Sequence, residues 1–443
     1  MARFKQGHDL DQQYLLPPSV RDWLPQDHLA WYIHDAVETI ETDELLDRYR
    51  VCGKGELPYD PRMMLRVLIY AYCTGVFSSR RITKQLEESV PFRVLAANQM
   101  PDHRTICRFR AEHIDLFESF FVQVLQMASA AGLVKLGTVA VDGSKVKANA
   151  SRRKAMSYSR MKSEEKRLRA EIRRITEMAK GIDEAEDELF GPDFRGDEMP
   201  AELADRKSRL KVIQEAKKRL EERKAEEDKR NDDEKARKAK EEGREVHEAR
   251  SRKHPKGKPR PKDQENFTDP DSRIMKDSKG FEQCYNVQVA VDKTNQLIVA
   301  NGVTNNAADV DQLIPMAKQA MANTGKPIGR LLADAGYRSE SNFAQLEKAE
   351  IDGFVSVGKE AKKPPEADPK LQATVRMKRK LATKRGRAWY RQRKWIAEPV
   401  FGWVKNVLGF RAFSMRGEAK ADGEWNLVSL ATNLRRLHGR MAI

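Results

Sequence analysis

The sequence predicts an α/β domain that follows an all-α region and is interrupted by a charged helical hairpin. Three observations indicate this fold class. Residues 1–135 show helical apolar spacing with capping residues, more than half of residues 155–262 are charged, and globular character resumes over residues 263–443. A strand-like segment within residues 136–154 precedes the charged stretch, so the α/β domain is predicted to be discontinuous in sequence.

Composition and charge restrict the class of partner. The 443 residues allow two or three domains with a substantial core. The chain has 83 Lys and Arg against 67 Asp and Glu, a net charge of +16, which favours a polyanionic partner, nucleic acid before a membrane surface. No apolar run approaches the roughly 20 residues of a membrane-spanning helix, and the first residues lack the apolar segment of a secretory signal. We therefore expect a cytoplasmic protein without membrane association.

The four cysteines, Cys52, Cys73, Cys107 and Cys284, are far apart in the sequence. They form no C-x-x-C pair and have no partnering His cluster, so neither a structural zinc site nor a disulfide framework is indicated. We expect reduced thiols that are mostly buried.

The first region, residues 1–135, predicts short helices joined by tight turns. A helix is predicted over ICRFRAEH, capped by Asp102. Arg104 and Arg108 share one face of this helix. Short helices of which the last is rich in Arg are typical of a helix-turn-helix DNA-binding unit. A plain helical bundle with a solvated basic face explains the pattern equally well.

The charged stretch predicts two helices separated by FGPDFRGDEMP. Apolar residues recur at spacings of three and four, first at Leu168, Ile172, Ile175, Ile182 and Leu189, then at Leu203, Leu210, Ile213 and Leu220. We expect an antiparallel hairpin with a coiled-coil seam. The end of the stretch is rich in Pro, Lys and Arg and predicts a disordered linker. Its many charges indicate a solvated surface, with a dedicated DNA contact as the alternative.

Short apolar segments predict the strands of the α/β domain. These segments are GTVAVDG, CYNVQVAVD, QLIVANGVT, IGRLLAD and GFVSV. Helices are predicted over ADVDQLIPMAKQAMANTG, which ends at a glycine, and over SESNFAQLEKAE.

Three acids stand where this fold class places functional groups. Asp142 closes GTVAVDG and Asp334 closes RLLAD, and the carboxyl ends of strands are where open α/β sheets hold their sites. Glu398 lies in WIAEPVFGWVKNVL, where Pro399 is tolerated if the helix starts at about Ala397 and kinks it otherwise. Such carboxylates bind Mg²⁺, and two ions can clamp the attacking and leaving oxygens of a phosphoryl transfer.

Other acids compete for these roles. Asp292, Asp309 and Asp311 lie in the same part of the chain. Asp292 stands beside a predicted hairpin turn, where a turn-forming Asp needs no functional reason.

Cations and aromatic residues surround Glu398 in the sequence. On one continuous helix, Arg391, Lys394 and Lys405 would cluster on its side of that helix. One interpretation is an exposed face with a single Lys–Glu pair. The other is a metal-binding acid flanked by phosphate-binding cations, with the aromatic rings of Tyr390 and Trp403 stacked on bases.

Over nearly its whole length, the chain resembles a bacterial insertion-sequence transposase of the DDE class. The helical N-terminal region of these proteins is similar to LLPPSVRDWLPQDHLAWYIHDAVE, YDPRMMLRVLIYAYCTGVFSSRRI and FRVLAANQMPDHRTICRFR. Their catalytic domain resembles VAVDGSKVKANAS, TDPDSRIMKDSKGFEQCYNVQVAVD and LLADAGYRSESN, and their last acid lies in a segment similar to YRQRKWIAEPVFGWVKNVLGF.

The resemblance implies a ribonuclease-H-like fold, a mixed five-stranded sheet with helices. It implies a first Asp on the first strand, a second after the fourth strand and a Glu on a later helix, which are Asp142, Asp334 and Glu398. It further implies that these three acids hold two Mg²⁺ ions, for which Mn²⁺ may substitute.

A family signature of Tyr, Arg, Glu and Lys maps onto Tyr390, Glu398 and Lys405 by resemblance. The usual Tyr-x-x-Arg-x-x-x-Glu spacing would place the Glu at position 397, which is Ala. Arg393 and Lys394 therefore both remain candidates for the Arg of this signature. These residues and Arg391 are expected to bind DNA phosphates.

The function implied is metal-dependent cleavage at the ends of an insertion sequence, followed by strand transfer into target DNA. The N-terminal helices would recognise the terminal inverted repeats, and the hairpin would support a homodimer at synapsis, in a nucleoid-associated bacterial enzyme. Two other classes stay open. An endonuclease of the same fold would hydrolyse DNA without strand transfer, and a DNA-binding repressor derived from a dead transposase would have lost metal dependence, although the intact triad argues against it.

Overall fold

A mixed β-sheet with helices packed on it forms the centre of the molecule in the computed structural model. The structure describes residues 19–49, 57–190, 201–241, 255–277, 280–358 and 371–441. The strands are β1 Thr138–Lys147, β2 Ala155–Ser157, β3 Gln264–Asn266, β4 Arg273–Asp277, β5 Gly280–Asp292, β6 Ile298–Thr304, β7 Arg330–Ala333 and β8 Asp352–Val355.

The α-helices fall into three groups along the chain. The first region contains α1 Leu29–Thr39, α2 Asp43–Asp47, α3 Pro61–Cys73, α4 Ser79–Glu88, α5 Val90–Leu95, α6 His103–Glu112 and α7 Phe117–Ala130. The charged stretch contains α8 Tyr158–Phe190 and α9 Ala201–Glu241. The last region contains α10 Leu313–Thr324, α11 Glu340–Lys348, α12 Gln372–Ala382, α13 Lys384–Arg391, α14 Arg393–Ile396, α15 Glu398–Gly402 and α16 Glu418–Met441. As predicted, α10 ends at a glycine, Gly325, whose φ of 67° is the left-handed conformation that favours this residue.

The main sheet has six strands in the described residues, one more than predicted. Five of them lie in the order β6, β5, β1, β7, β8, and β4 pairs with β5 on the same side as β6. Strand β1 is antiparallel to β5 and parallel to β7, which is parallel to β8. The extra strand fits because β5 begins at Gly280, before the predicted CYNVQVAVD, and so is long enough to pair with two short strands end to end.

Strand β1 also extends beyond its predicted end. Asp142 was expected to close it, but β1 continues to Lys147, and its pairing with β5 runs without a break from Val139 opposite Asp292 to Lys147 opposite Cys284. The parallel pairing with β7 ends at Ala140. Asp142 therefore lies inside a strand, at the point where β1 loses its β7 neighbour and one edge opens.

The N-terminal helices and the sheet are joined by α16. This helix packs against β6 on one side and against α3 and α7 on the other, within one continuous apolar core. A buried polar chain crosses this junction. The Tyr72 hydroxyl donates to Glu424 at 2.8 Å and accepts from Arg110 at 3.1 Å. All three side chains are buried, so their hydrogen bonds to one another are shielded from water.

The charged stretch forms an antiparallel pair of helices. Glu165 of α8 pairs with Lys217 of α9 at 2.9 Å, and Glu171, further along α8, pairs with Arg206, earlier in α9, at 3.1 Å. Between the helices lie buried Met161, Leu168, Ile213 and Ala216. Of the other predicted apolar positions, Leu220 is buried and Ile172, Ile175 and Leu210 are half-buried, while the side chains of Ile182, Leu189 and Leu203 lie outside the described set. Most of the predicted linker, residues 242–254, also lies outside it.

Two composition-based expectations have structural counterparts. Within the residues that the structure describes, no helix is long and apolar enough to cross a bilayer. Cys73 and Cys284 are buried, Cys107 is exposed, and Cys52 lies outside the described ranges.

Candidate active site

The three acids selected from the sequence occupy three different elements. Asp142 lies in β1, and its side chain is 14% exposed. Asp334 follows β7 and caps the 3₁₀ turn Ala335–Tyr337, accepting from the Gly336 N–H at 2.8 Å. Glu398 is the first residue of α15, and its side chain is half exposed.

Arg393 links the first acid to the third. Its Nη1 atom lies 3.4 Å from Asp142 Oδ2, and its Nη2 atom lies 3.2 Å from Glu398 Oε1. The Arg393 side chain is only 12% exposed, so solvent screens these contacts weakly. A planar guanidinium with several donors suits such a bridge between two carboxylates. Residues 251 positions apart in the chain are thereby joined.

The negative charge of Asp334 also acts on Asp142. Burial raises the pKa of Asp142 to about 6, the Arg393 guanidinium opposes that rise, and the carboxylates of Asp334 and Glu398 add to it. Asp142 therefore interacts electrostatically with both of the other acids. One guanidinium does not neutralise the negative charge that they concentrate there.

The helix that carries Glu398 is interrupted, which changes the contacts expected from helical spacing. Helix α14 ends at Ile396 and α15 begins at Glu398, with Pro399 in its first turn, where the missing N–H costs no helical hydrogen bond. The prediction that a helix starting near Ala397 tolerates the proline is thus confirmed. The expected cluster on a single helix face is wrong, because these residues lie on separate helices and the ion pair of Glu398 is formed with Arg393, not with Lys394.

Four residues predicted to bind DNA, Tyr390, Arg391, Arg393 and Lys394, line one pocket. This pocket has a volume of about 490 Å³, and its wall includes Leu381, Arg387, Tyr390, Arg391, Arg393, Lys394 and Trp395. The Trp395 side chain is 75% exposed, which is unusual for the largest apolar side chain. The sequence analysis missed both Arg387 and Trp395.

Lys405 reaches back to β1 from the π-helical turn Trp403–Val407. Its Nζ atom donates to Ser144 Oγ and to the Lys145 carbonyl oxygen, both at 2.7 Å. Ser144 is two residues after Asp142 and therefore points to the same face of the sheet. Lys405 and Arg393 thus stand on the face that carries Asp142. The ring of Trp403 is half-buried. The guanidinium of Arg435 covers one face of this ring, 5.4 Å from the ring centroid, so that ring face is not open for stacking on a base.

The two arginines predicted for DNA binding in the first region lie on a separate element. Arg104 and Arg108 are exposed on α6, whereas Ile106 and Phe109 of the same helix are buried, as their spacing predicted. The predicted cap is also confirmed, since Asp102 accepts from the Thr105 N–H at 2.7 Å.

A basic corner is formed by α12 and α13. Residues 372–394 contain ten Lys and Arg and no Asp or Glu. Arg376 and Lys380 pair with Glu347 and Asp352 of neighbouring elements. Six further cations are exposed and make no ion pair with any described residue: Arg379, Lys384, Arg385, Arg387, Arg391 and Lys394. The two helices meet at Gly386, where a Cβ atom would collide with the Lys380 carbonyl oxygen.

A fourth acid, Asp309, lies close to the segments that carry Asp142 and Asp334. It accepts hydrogen bonds from Asn286 at 2.6 Å and Gln288 at 2.9 Å, and its carboxylate lies 3.3 Å from Lys145 Nζ. From the sequence, Asp309 is one of several acids that compete for the catalytic roles. The sequence feature that could have identified its environment is the pair Asn286 and Gln288 in the otherwise apolar segment CYNVQVAVD. Because these amides are two residues apart, they lie on the same face of β5.

The donor set can be compared with the needs of a metal ion. Three carboxylates around Asp142 supply the hard oxygen ligands that Mg²⁺ and Mn²⁺ prefer, and their mutual repulsion is relieved by a cation. Across the described ranges, no three Asp, Glu, His or Cys side chains already stand at metal-ligand spacing. Arg393, lying between Asp142 and Glu398, holds them in their present arrangement. The residues therefore fit a divalent ion in chemistry, and Arg393 must yield its contacts for all three to bind one.

Two family models match this chain. A model described as Transposase DDE domain matches residues 246–434, which include Asp334 and Glu398 but not Asp142. A model described as Transposase domain (DUF772) matches residues 18–112, which include Arg104 and Arg108. No curated protein and no solved structure matches the chain.

Proposed function

This chain belongs to the DDE transposases of insertion sequences, enzymes that cut and transfer DNA, and we propose that Asp142, Asp334 and Glu398 are its catalytic acids. The observation that carries this proposal is the position of Arg393, which contacts Asp142 and Glu398 at once, beside an Asp334 whose charge acts on Asp142. Three acids from distant parts of the chain thus share one electrostatic environment. The sheet order β6, β5, β1, β7, β8 supports a ribonuclease-H-like catalytic domain.

A pair of Mg²⁺ ions, or Mn²⁺ in their place, would be held by Asp142, Asp334 and Glu398. When bound, the metal lowers the pKa of a water molecule and stabilises the charge that develops on phosphate oxygens. The chain's own contribution is to hold the carboxylates rigidly, on a strand, on a capped turn and at a helix start. Arg393 would compensate their charge until the metal binds, and then be free to contact a DNA phosphate.

Lys405 would position DNA from the same face of the sheet. Its ammonium group is fixed by Ser144 and the Lys145 carbonyl oxygen, within two or three residues of Asp142 along β1. A positive charge fixed at this place would attract a DNA phosphate. Tyr390 and Arg393 line the same pocket, and Arg393 is the residue that contacts Glu398, so we assign the Arg of the family signature to Arg393.

The basic corner of α12 and α13 would bind the phosphate backbone of duplex DNA. Its six exposed cations lack carboxylate partners in the described chain, so binding a polyanion breaks no ion pair. The corner continues into the pocket that contains Arg393, and DNA lying along it would lead toward the acids. Arg and Lys that contact phosphates carry no direct sequence information, which suits flanking and target DNA of arbitrary sequence.

The remaining parts of the chain would have supporting roles. Exposed Arg104 and Arg108 on α6 would contact the terminal inverted repeats. The hairpin of α8 and α9, with its apolar seam and ion pairs, would act as a coiled coil and help two copies of the chain to assemble at synapsis. In this proposal, residues 1–135 form the DNA-recognition domain and residues 155–262 form the insertion. Residues 136–154 and 263–443 together form the catalytic domain.

The decisive experiment is a strand-transfer assay on the full chain. Labelled DNA that flanks its own gene serves as donor, a plasmid as target, and Mg²⁺ or Mn²⁺ is added or withheld. We expect metal-dependent end cleavage and joining, both abolished in D142N and in D334N, while DNA binding is kept. Cleavage without joining would favour the nuclease alternative, and unchanged cleavage in both variants would refute the assignment of the acids. DNA binding with no metal-dependent reaction would favour the repressor.

A further inference from the structure

Asp309 is held by an unusually complete set of donors for a half-buried acid. Its Oδ1 atom accepts from Asn286 Nδ2 at 2.6 Å and from Gln288 Nε2 at 2.9 Å, and Lys145 Nζ lies 3.3 Å away. Both amide side chains are fully buried in the centre of β5. Each of these contacts therefore has a defined geometry, because the donors have no freedom to move into solvent.

Two glycines allow Asp309 to approach the catalytic segments. A Cβ atom on Gly143, the residue after Asp142, would lie 2.8 Å from Asp309 Oδ1. A Cβ atom on Gly336 would lie 3.2 Å from Asp309 Oδ2 and 2.9 Å from Asp334 Oδ1. Asp309 thus fills the space between β1 and the turn that Asp334 caps, and either glycine with a side chain would push it out.

The same turn is tied to the Asp309 segment by further contacts. Tyr337 is buried at the end of the turn, and its hydroxyl donates to Gln288, the residue that donates to Asp309. Asn342 donates from one amide nitrogen to the carbonyl oxygens of Val310 and Tyr337, at 2.7 and 2.8 Å. The turn, β5 and the Asp309 segment therefore form one hydrogen-bonded unit.

The face of the sheet on which Asp309 lies separates it from a ligand role. Gly143 and Lys145 alternate with Asp142 and Ser144 along β1, so they point to the opposite face. Asp309 contacts the Gly143 and Lys145 side, whereas Arg393 and Lys405 approach Asp142 and Ser144. Asp309 therefore contacts β1 on the face opposite to the Asp142 side chain.

We propose that Asp309 is a positioning residue that fixes the Asp334 turn relative to β1, and so sets the spacing of Asp142 and Asp334 for metal binding. This inference rests on the proposed function of those two acids. Its energetic basis is that metal affinity depends on the orientation of the ligands, and loss of an outer partner costs about ten- to hundredfold in affinity.

The test compares D309A and D309N with D311A. Asp311 is an exposed acid two residues away, so D311A matches the loss of one negative charge at nearly the same place. The probe is Mn²⁺, titrated into each purified full-length variant while the melting temperature is recorded, with the metal-free melting temperature and duplex DNA binding as checks of folding. We expect D311A to match the wild type, and D309A to need at least about tenfold more Mn²⁺ for half of the stabilisation.

The conservative variant separates positioning from ligation. An Asn at position 309 still offers an oxygen to the amides of Asn286 and Gln288, so D309N should recover most of the Mn²⁺ response. If D309N loses the response as completely as D334N, Asp309 is a metal ligand and the positioning role is wrong. If D309A behaves like D311A, Asp309 has no role in metal binding.

A second variant covers the case in which D309A does not fold. G336A places a methyl group against both Asp334 and Asp309 at a position whose backbone is not left-handed, and it should weaken the Mn²⁺ response as D309A does. A normal response in G336A would contradict the proposal. If Mn²⁺ does not raise the melting temperature of the wild type, or raises that of D334N equally, the assignment of the acids is wrong and the proposed function with it. If D334N loses the Mn²⁺-dependent stabilisation while D309A and G336A keep it, the proposed function stands and only the positioning role of Asp309 is wrong.

Discussion

The guanidinium of Arg393 lies 3.2 Å from the carboxylate of Glu398, five residues later in the chain, across the break between α14 and α15. A continuous helix would not direct these two side chains toward each other at that separation, because neighbours on a helical face are three or four residues apart. The interruption at Ala397 makes the contact, and the other arm of the same guanidinium then reaches Asp142.

This bridge predicts a charge-dependent effect of substituting Arg393. In R393Q, the three acids lose their compensating cation, so the metal-free protein should melt at a lower temperature at pH 8 than the wild type. The difference should shrink at pH 5, where Asp142, with its pKa raised to about 6, is largely protonated. Melting curves in EDTA at both pH values measure this.

The matched control for Arg393 is K394Q, which removes a neighbouring cation that is exposed and contacts neither acid. K394Q should change the melting temperature little at either pH. An R393Q loss that is equal at pH 5 and pH 8 would contradict a role in compensating Asp142. We also expect R393K to recover only part of the stability, since a single ammonium cannot reproduce the two-armed contact.

The basic corner predicts a loss of sequence-independent DNA binding. A triple variant with R385Q, R387Q and R391Q should bind an arbitrary duplex more weakly, and the slope of log affinity against log salt should fall by about 0.9 for each phosphate that the variant no longer neutralises. Fluorescence anisotropy over a series of salt concentrations gives both quantities.

The control for the basic corner removes three positive charges from a different helix. K211Q, R230Q and K229Q lie on α9, where these side chains are exposed and make no ion pair with described residues. If this variant loses as much affinity and slope as the corner variant, binding follows net charge and the corner has no special part in it.

The buried chain of Tyr72, Glu424 and Arg110 predicts a stability effect at the junction of the N-terminal helices with α16. Y72F removes two hydrogen bonds to charged groups, the one donated to Glu424 and the one accepted from Arg110. Among the described residues, Glu424 Oε1 then keeps only Ser414 Oγ as a donor, and Arg110 Nη1 keeps only the Phe77 carbonyl oxygen as an acceptor. We expect a loss of about 1–3 kcal/mol in the free energy of unfolding, measured in urea. Y70F is the control, since the Tyr70 hydroxyl makes no hydrogen bond with any part of the chain that the structure describes. An equal loss in Y70F would mean that packing, and not the hydrogen bonds, matters at this junction.

Asp422 predicts a pH dependence of stability away from the active site. Burial raises its pKa to about 6, while its Oδ1 atom accepts from the Val303 N–H at 2.8 Å. Between the ordinary pKa of Asp and this value, the folded state holds a proton that the unfolded state has released. Stability therefore falls as the pH rises from about 4 to about 6, by at most about 3 kcal/mol from this group.

The variant D422N keeps an acceptor for Val303 and stays neutral at every pH. Relative to the wild type, it should gain stability as the pH rises through this window and gain nothing further above it. Urea unfolding at pH 4, 5, 6 and 7 tests the sign. Asp142 titrates in the same range, but it is present in both proteins and cancels in the difference. A constant difference at all four pH values would contradict a raised pKa for Asp422.

Local features of the fold were predictable because they depend on neighbours in the sequence. The cap of α6 at Asp102, the end of α10 at Gly325 and the restart of the helix before Pro399 each follow from the chemistry of one or two residues. The extent of β1 and the sixth strand of the sheet were not predictable in this way. They depend on how far β5 continues and on which strands pair with it.

The sequence by itself determined which acids to consider, where the charged insertion falls and that a polyanionic partner is favoured, because residue type, periodicity and net charge are properties of the chain alone. Only the tertiary structure decided that Arg393, and not Lys394, contacts Glu398. It also decided that Asp309 lies next to Gly143 and Gly336, the glycines beside Asp142 and Asp334. Contacts of this kind depend on the angle between helices and on the pairing of distant strands. No spacing along the chain encodes that geometry, since the residues involved come together only when the whole core has packed.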